Sequence, residues 1–162
     1  MEREILFKAK DKDDGKWYEG YYMCLHDTTY CYMPSDSLEE AKRMKKENTH
    51  HYIVFEQMTD WGLPNRHLRA EILPETLCQY TGLTDKNGKK IWENDIVCYW
   101  DTYSTDNGYS EADCIGKVIW DDETLSFQVT ERLSAESYEV LDECSVIGNI
   151  FDNQELLEGE NE

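Results

Sequence analysis

Apolar and polar residues alternate along much of this chain with a period of two, the spacing of a strand that buries one face. Ile5 to Lys10 reads as a first strand. The charged turn Asp11-Lys12-Asp13-Asp14-Gly15 folds it back onto Trp17 to Leu25, so the two make a hairpin. Tyr30 to Met33 is a further short β run that stops at Pro34, which has no N–H to give a ladder. The period then changes. Ser37-Leu38-Glu39-Glu40 is a capping-box signature, and Leu38, Ala41 and Met44 follow at three-residue intervals as a narrow apolar stripe, predicting an outer helix that ends near Asn48. Glu39 precedes Arg43 by four residues, the favourable order for a helical ion pair, and Lys45 and Lys46 suit the negative end of the helix dipole. His50 to Phe55 resumes the β pattern. From Met58 to Pro74 the pattern weakens: Trp61-Gly62-Leu63-Pro64 reads as an irregular turn and Asn65 to Arg69 as a short exposed piece, together a connection between two lobes.

Gln79 to Val97 is the expected structural centre. Gln79 to Leu83 and Lys89 to Trp92 flank Asp85-Lys86-Asn87-Gly88, a hairpin loop in which Asn87 and Gly88 would supply positive φ. Glu93-Asn94 breaks the pattern, and Asp95 leads into Ile96 to Trp100, a β-branched and aromatic strand. Asp101 to Asp113 is polar throughout and reads as a long hairpin loop or flap. Gly116 to Trp120 is a strand, Asp121 to Thr124 a turn, and Leu125 to Thr130 alternates strictly, with Leu125, Phe127 and Val129 on the buried side. Tyr138 to Leu141 and Ser145 to Phe151 add two more strands. Glu155 to Glu162 reads as a frayed tail.

The resulting expectation is a mainly β, α+β fold. Residues 1–157 make one domain, in which an N-terminal β lobe (about 1–76) with one amphipathic helix joins a small C-terminal SH3-like or half-open β-barrel (about 77–153), and residues 154–162 form an acidic tail.

Three stretches carry a family resemblance: Gln79 to Val97, Val146-Ile147-Gly148-Asn149-Ile150-Phe151-Asp152-Asn153 with Leu156-Leu157, and the opening Glu4-Ile5-Leu6-Phe7-Lys8-Ala9. Together they resemble the YopX family of small proteins encoded by phages and prophages, with residues 26–76 the most divergent part. The family form after the hairpin is Glu-Gly-Asp-Ile-Val; here Asn94 stands in the place of the glycine, and Asn also tolerates positive φ. The resemblance implies a mostly β fold and a phage setting. The family has no established activity, so no residue role is carried over from it.

Composition narrows the function classes. At 162 residues the chain can bury a core without metal or disulfide, and 12% aromatic content favours pleated surfaces. The charged N-terminus lacks a signal-peptide pattern and no stretch is apolar enough to span a bilayer, so a cytoplasmic, membrane-free protein is expected. Net charge is −19 and uneven. Residues 1–100 hold 18 acidic and 14 basic side chains, whereas residues 101–162 hold 17 and 2. A field of that sign disfavours direct nucleic-acid binding. Six cysteines, at 24, 31, 78, 98, 114 and 144, include no Cys-x-x-Cys pair and read as reduced thiols.

Gly116-Lys117 has no Gly-rich loop before it and is not a P-loop. An EF-hand register on Gly108 puts Tyr103 and Cys114 at the ligand ends, which excludes it. Cys24, His26, Cys31, His50 and His51 lack the paired hooks of structural zinc sites and read as thiols and surface imidazoles. Asp121 and Asp122 are turn formers. Lys42, Arg43, Lys45 and Lys46 form the one concentrated basic patch, a solvated helix face that also suits the acidic half of a second copy. No catalytic, cofactor-binding or metal residue is assigned. The expected function is a non-enzymatic module acting through protein contacts, including self-association. Two alternatives are an acidic decoy of DNA held by a host DNA-binding protein, and an enzyme whose pocket would gather His50, His51, Arg66 or His67.

Overall fold

A computed structural model of the protein describes residues 4–28, 37–105, 108–130 and 140–158. The chain is mainly β and divides into two compact units, Leu6–Leu77 and Cys78–Glu162 together with Met1–Ile5.

In the first unit, β1 (Phe7–Lys10), β2 (Trp17–His26), α1 (Leu38–Glu47), β3 (Thr49–Gln57) and β4 (Arg66–Glu71) follow in turn. The four strands lie antiparallel in the order β4-β3-β2-β1. The expected first hairpin is present, closed by Lys10↔Trp17. Asp11 Oδ1 accepts from the N–H of Asp13 and Asp14 at 2.8 and 2.9 Å to make its turn. One face of the sheet buries Ala9, Ile53 and Ile72, with Phe7, Tyr18, Tyr22, Phe55 and Leu77 packed around them. The expected strand Tyr30 to Met33 and Pro34 lie outside the described residues.

The helix is as read, with its capping box complete: the Ser37 hydroxyl accepts from Glu40 N at 3.1 Å and the Glu40 carboxylate accepts from Ser37 N. None of its residues is buried, Leu38 is 71% exposed, and Asn48 caps the far end. The expected Glu39–Arg43 ion pair is replaced by Arg43–Glu47 at 3.7 Å, the less favourable order, between two exposed side chains. Met58 to Pro74 is not a connection between lobes. Its second half is β4, paired with β3 from Gln57↔Arg66 to Tyr52↔Glu71. The strand escaped the sequence pattern because Arg66 to Arg69 are all exposed at the sheet edge, so no side of it reads as apolar.

The second unit contains β5 (Cys78–Thr84), β6 (Lys90–Trp92), β7 (Asp95–Thr105), β8 (Gly108–Asp121), β9 (Ser126–Val129), α2 (Val140–Glu143), β10 (Ser145–Asn149) and α3 (Glu155–Glu158). β5 and β6 form the expected hairpin. The others make an antiparallel sheet in the order β10-β7-β8-β9, which ends at β9 and β10 and does not close into a barrel among the described residues. Its inner face buries Ile91, Val97, Tyr99, Cys114, Val118, Val129, Leu141 and Cys144.

Four expectations change here. Asp101 to Asp113 is no loop or flap: β7 and β8 run on through it as a ladder from Ile96↔Lys117 to Thr105↔Gly108. Backbone pairing sustains these strands where the side chains give no alternation. The second half of the expected strand Tyr138 to Leu141 falls in α2, one helical turn that brings Leu141 into the core. Residues 155–158 of the expected tail are also helical. Leu125 is 72% exposed in the turn, with φ 53°, and the buried side of β9 starts at Phe127.

Candidate functional site

The residues that carry the family resemblance meet in space. Asp85, 5% exposed, accepts from Asn87 N and Lys89 N through Oδ1 at 2.8 and 2.9 Å, which shapes the β5–β6 turn. Its Oδ2 accepts from Val146 N on β10 at 3.1 Å. Burial alone would raise this carboxyl, but the Val146, Lys89 and Asn87 N–H groups outweigh it and hold it below the ordinary carboxylate value. Of the two loop residues expected at positive φ, only Gly88 is there, at 80°. Asn94 takes φ 66°, as its place in the corner requires, and it donates to Val118 O and accepts from Ile150 N. Asp95, 1% exposed, accepts from Trp92 N at 2.9 Å. Gly148 is needed because a Cβ there would run into the Asn153 side chain. These groups hold backbone to backbone. They are architecture.

The chemistry facing solvent gathers on the β3–β4 hairpin of the other unit. Neighbours on a strand point to opposite faces, so His50 and His51 part company. His50 Nε2 lies 2.9 Å from Asp27 Oδ2 and its Nδ1 3.2 Å from Glu71 Oε1. Lys12 Nζ reaches the same Glu71 oxygen at 2.9 Å. The hydrogen bonds that His50 donates to Glu71 and then to Asp27 push the His50 pKa up, while Lys12 and His50 hold Glu71 down. His50 stacks beside Tyr52, whose ring carries the Arg69 guanidinium 4.7 Å from its centroid. Across the sheet, His51 Nδ1 shares a 2.6 Å hydrogen bond with Tyr22 Oη, and burial raises the Tyr22 phenol. At the far end His67 meets Glu56 at 3.2 Å. Beyond it lies the hairpin loop, where Trp61 is fully exposed, Met58 85% and Leu63 61%.

The sequence candidates are therefore not brought together as a pocket. His50 is on one face, His51 on the other, and Arg66 and His67 stand at the loop end of β4. Cys24 is opposite His51 in the ladder and exposed, His26 is opposite Thr49, and Cys31 lies outside the described residues. Among the described residues no group of three His, Cys, Asp or Glu side chains is arranged to hold a metal ion. Lys42, Arg43, Lys45 and Lys46 are exposed on α1, and Asp121 shapes a turn by accepting from Glu123 N. Among the described residues, an open pocket lined by Ile5, Gln79, Glu93 and Trp120 offers one carboxylate, Glu93. Three acids of the second unit, Asp85, Asp95 and Asp101, are buried, of which only Asp101 belongs to the strongly acidic residues 101–162. No helix among the described residues is long and apolar enough to cross a membrane. Sequence reasoning missed Glu71, Asp27 and the exposed tip. The histidine faces follow from period two, but the carboxylate partners depend on a register that one sequence does not display.

A family model described as "YopX protein" matches residues 6–158. No curated protein matches the chain. Among solved structures, the crystal structure of protein EF1440 from Enterococcus faecalis is similar, at 22% identity, with 96% of this chain and 99% of that chain covered and a TM-score of 0.49.

Proposed function

Because this chain belongs to the YopX family, matched over nearly its whole length, we propose that it is a phage-encoded, cytoplasmic, non-enzymatic module that works by protein contact, self-association included. One observation carries this reading: the β3–β4 loop presents Trp61, Met58 and Leu63 to solvent on a hairpin whose strands are firmly paired. A tryptophan held outside any core loses hydrophobic stabilisation, and tryptophans dominate the energetic centres of protein interfaces. The titratable groups favour the same reading, since His50 and His67 are engaged with carboxylates at the surface and the buried Asp85 and Asp95 hold backbone N–H groups. The test is a photo-crosslinking amino acid in place of Trp61, with a control at Glu39 on the helix, irradiated in the producing cell. Adducts from position 61 and none from position 39 are expected, a doubled mass marking a second copy. No adduct from position 61 would reject the reading.

A further inference from the structure

We infer that the outer edge of β4, from Arg66 to Arg69, is a strand-addition site for an extended acidic segment of a partner protein. The inference rests on the protein-contact reading and names the surface and the chemistry it selects.

β4 is the last strand of its sheet. Ile72 N donates to His51 O at 2.9 Å, and this fixes the phase of the ladder. In an antiparallel pair, bonded and non-bonded positions alternate, so Leu68 and Ala70 turn their N–H and C=O groups toward β3. His67 and Arg69 turn theirs outward. Glu71, in the same phase, shows what the outward position accepts, because its carbonyl takes the Lys12 N–H at 2.8 Å. That contact, with the bridge Asp11↔Ile72, closes one end of the edge and leaves Arg66 to Arg69 as the open stretch among the described residues.

The side chains there select an anion. Arg66, His67 and Arg69 are exposed on an edge whose chain carries −19 overall; His67 already meets Glu56 at 3.2 Å, and no carboxylate among the described residues pairs with either arginine. The Tyr52 ring lies 4.7 Å from the Arg69 guanidinium and restrains it, which lowers the cost of fixing it on a partner. An extended chain adding to this edge would exchange main-chain hydrogen bonds with His67 and Arg69 and set every second side chain on the face of Arg69, with Arg66 on the opposite face. Glutamate or aspartate fits at those positions, and cationic segments are repelled. The adjoining Trp61 and Leu63 supply an apolar anchor beyond the strand's end.

The test titrates the full chain with short fluorescein-labelled peptides in which Val alternates with Glu, Thr or Lys, read by anisotropy. The Glu peptide is expected to saturate, with the Thr and Lys peptides weaker by about tenfold or more. Arg66→Glu with Arg69→Glu should reverse that order. His67→Pro removes one outward N–H and no backbone bond to β3, and His67→Ala controls for the lost Glu56 contact, so the proline should weaken the Glu peptide by about tenfold more than the alanine does. Hydrogen exchange at the His67 and Arg69 amides of the unaltered chain should slow at saturation, a readout independent of how any variant folds. Equal binding of the Lys peptide, or unchanged exchange at both amides, would overturn the site. If the peptides fail while position 61 still crosslinks, the strand-addition site falls and the protein-contact reading stands; if both fail, both fall.

Discussion

Two carboxylates in this protein do similar chemistry with opposite consequences. Asp85 sits inside Cys78–Glu162, its oxygens shared among N–H groups from its own turn and from Val146, 61 residues along the chain. Glu71 sits at the surface of Leu6–Leu77, its oxygen shared between Lys12 and His50. Both are held below their ordinary pKa. The buried one joins two distant stretches of backbone, and leaving those donors without an acceptor costs their desolvation. The half-exposed one trades partners with water at less cost. The lesson is that burial of its partners, more than a shifted pKa, decides whether a carboxylate organises a fold or adorns it.

The contrast is broken most sharply at Asp85. Asp85→Ala should destabilise the protein by about 3 kcal/mol in denaturant titration, because the N–H groups lose a charged acceptor. Asp85→Asn should recover part of that loss. Since this carboxyl lies below its ordinary 3.8 in the folded state, its stabilisation is complete above that value and is lost as pH falls through the depressed one. An acid titration of wild type against Asp85→Asn should show the two converging.

An intermediate effect belongs to α1, which buries nothing and depends on its ends. Ser37→Ala removes the capping hydroxyl and should cost about 1 kcal/mol of helix stability, seen as lost helical circular dichroism with the β signal intact.

The smallest effect is His50→Gln. With its pKa raised above 6.5, His50 contributes fully below that value and loses its contribution as pH rises through the raised one. Glu71 loses its own share as pH falls below 4.5. The melting temperatures of wild type and His50→Gln should therefore differ most between these two values and converge in alkali. A proton NMR titration should place the His50 midpoint above 6.5 and find it lowered by Glu71→Gln.

Much of this architecture is legible in one sequence where side chains obey a single period. The β1–β2 hairpin and β3 are of this kind, while the capping box of α1 and the β5–β6 hairpin are marked by their cap and turn residues and the backbone at Asn94 by the family resemblance. What escaped lacks an apolar side. β4 is exposed along its open edge, and the outer parts of β7 and β8 are polar throughout. α2 is one turn long, too short for a 3.6-residue period to differ from alternation. The site was half legible for the same reason. Adjacent histidines on a strand must face apart, yet Glu71, Asp27 and the openness of the loop around Trp61 follow from pairing across the sheet.

The bond between Asp85 and Val146 also sets an order of events. When the hairpin around Asn87 has left the ribosome, the strand that will occupy the second carboxylate oxygen has yet to be synthesised. Until then Oδ2 is hydrated and β7 lacks the neighbour supplied by β10. Completion of this unit therefore waits until Val146, 61 residues after Asp85, has been synthesised. A nascent chain stalled before Val146 would display an unfinished sheet to the cell's chaperones and proteases.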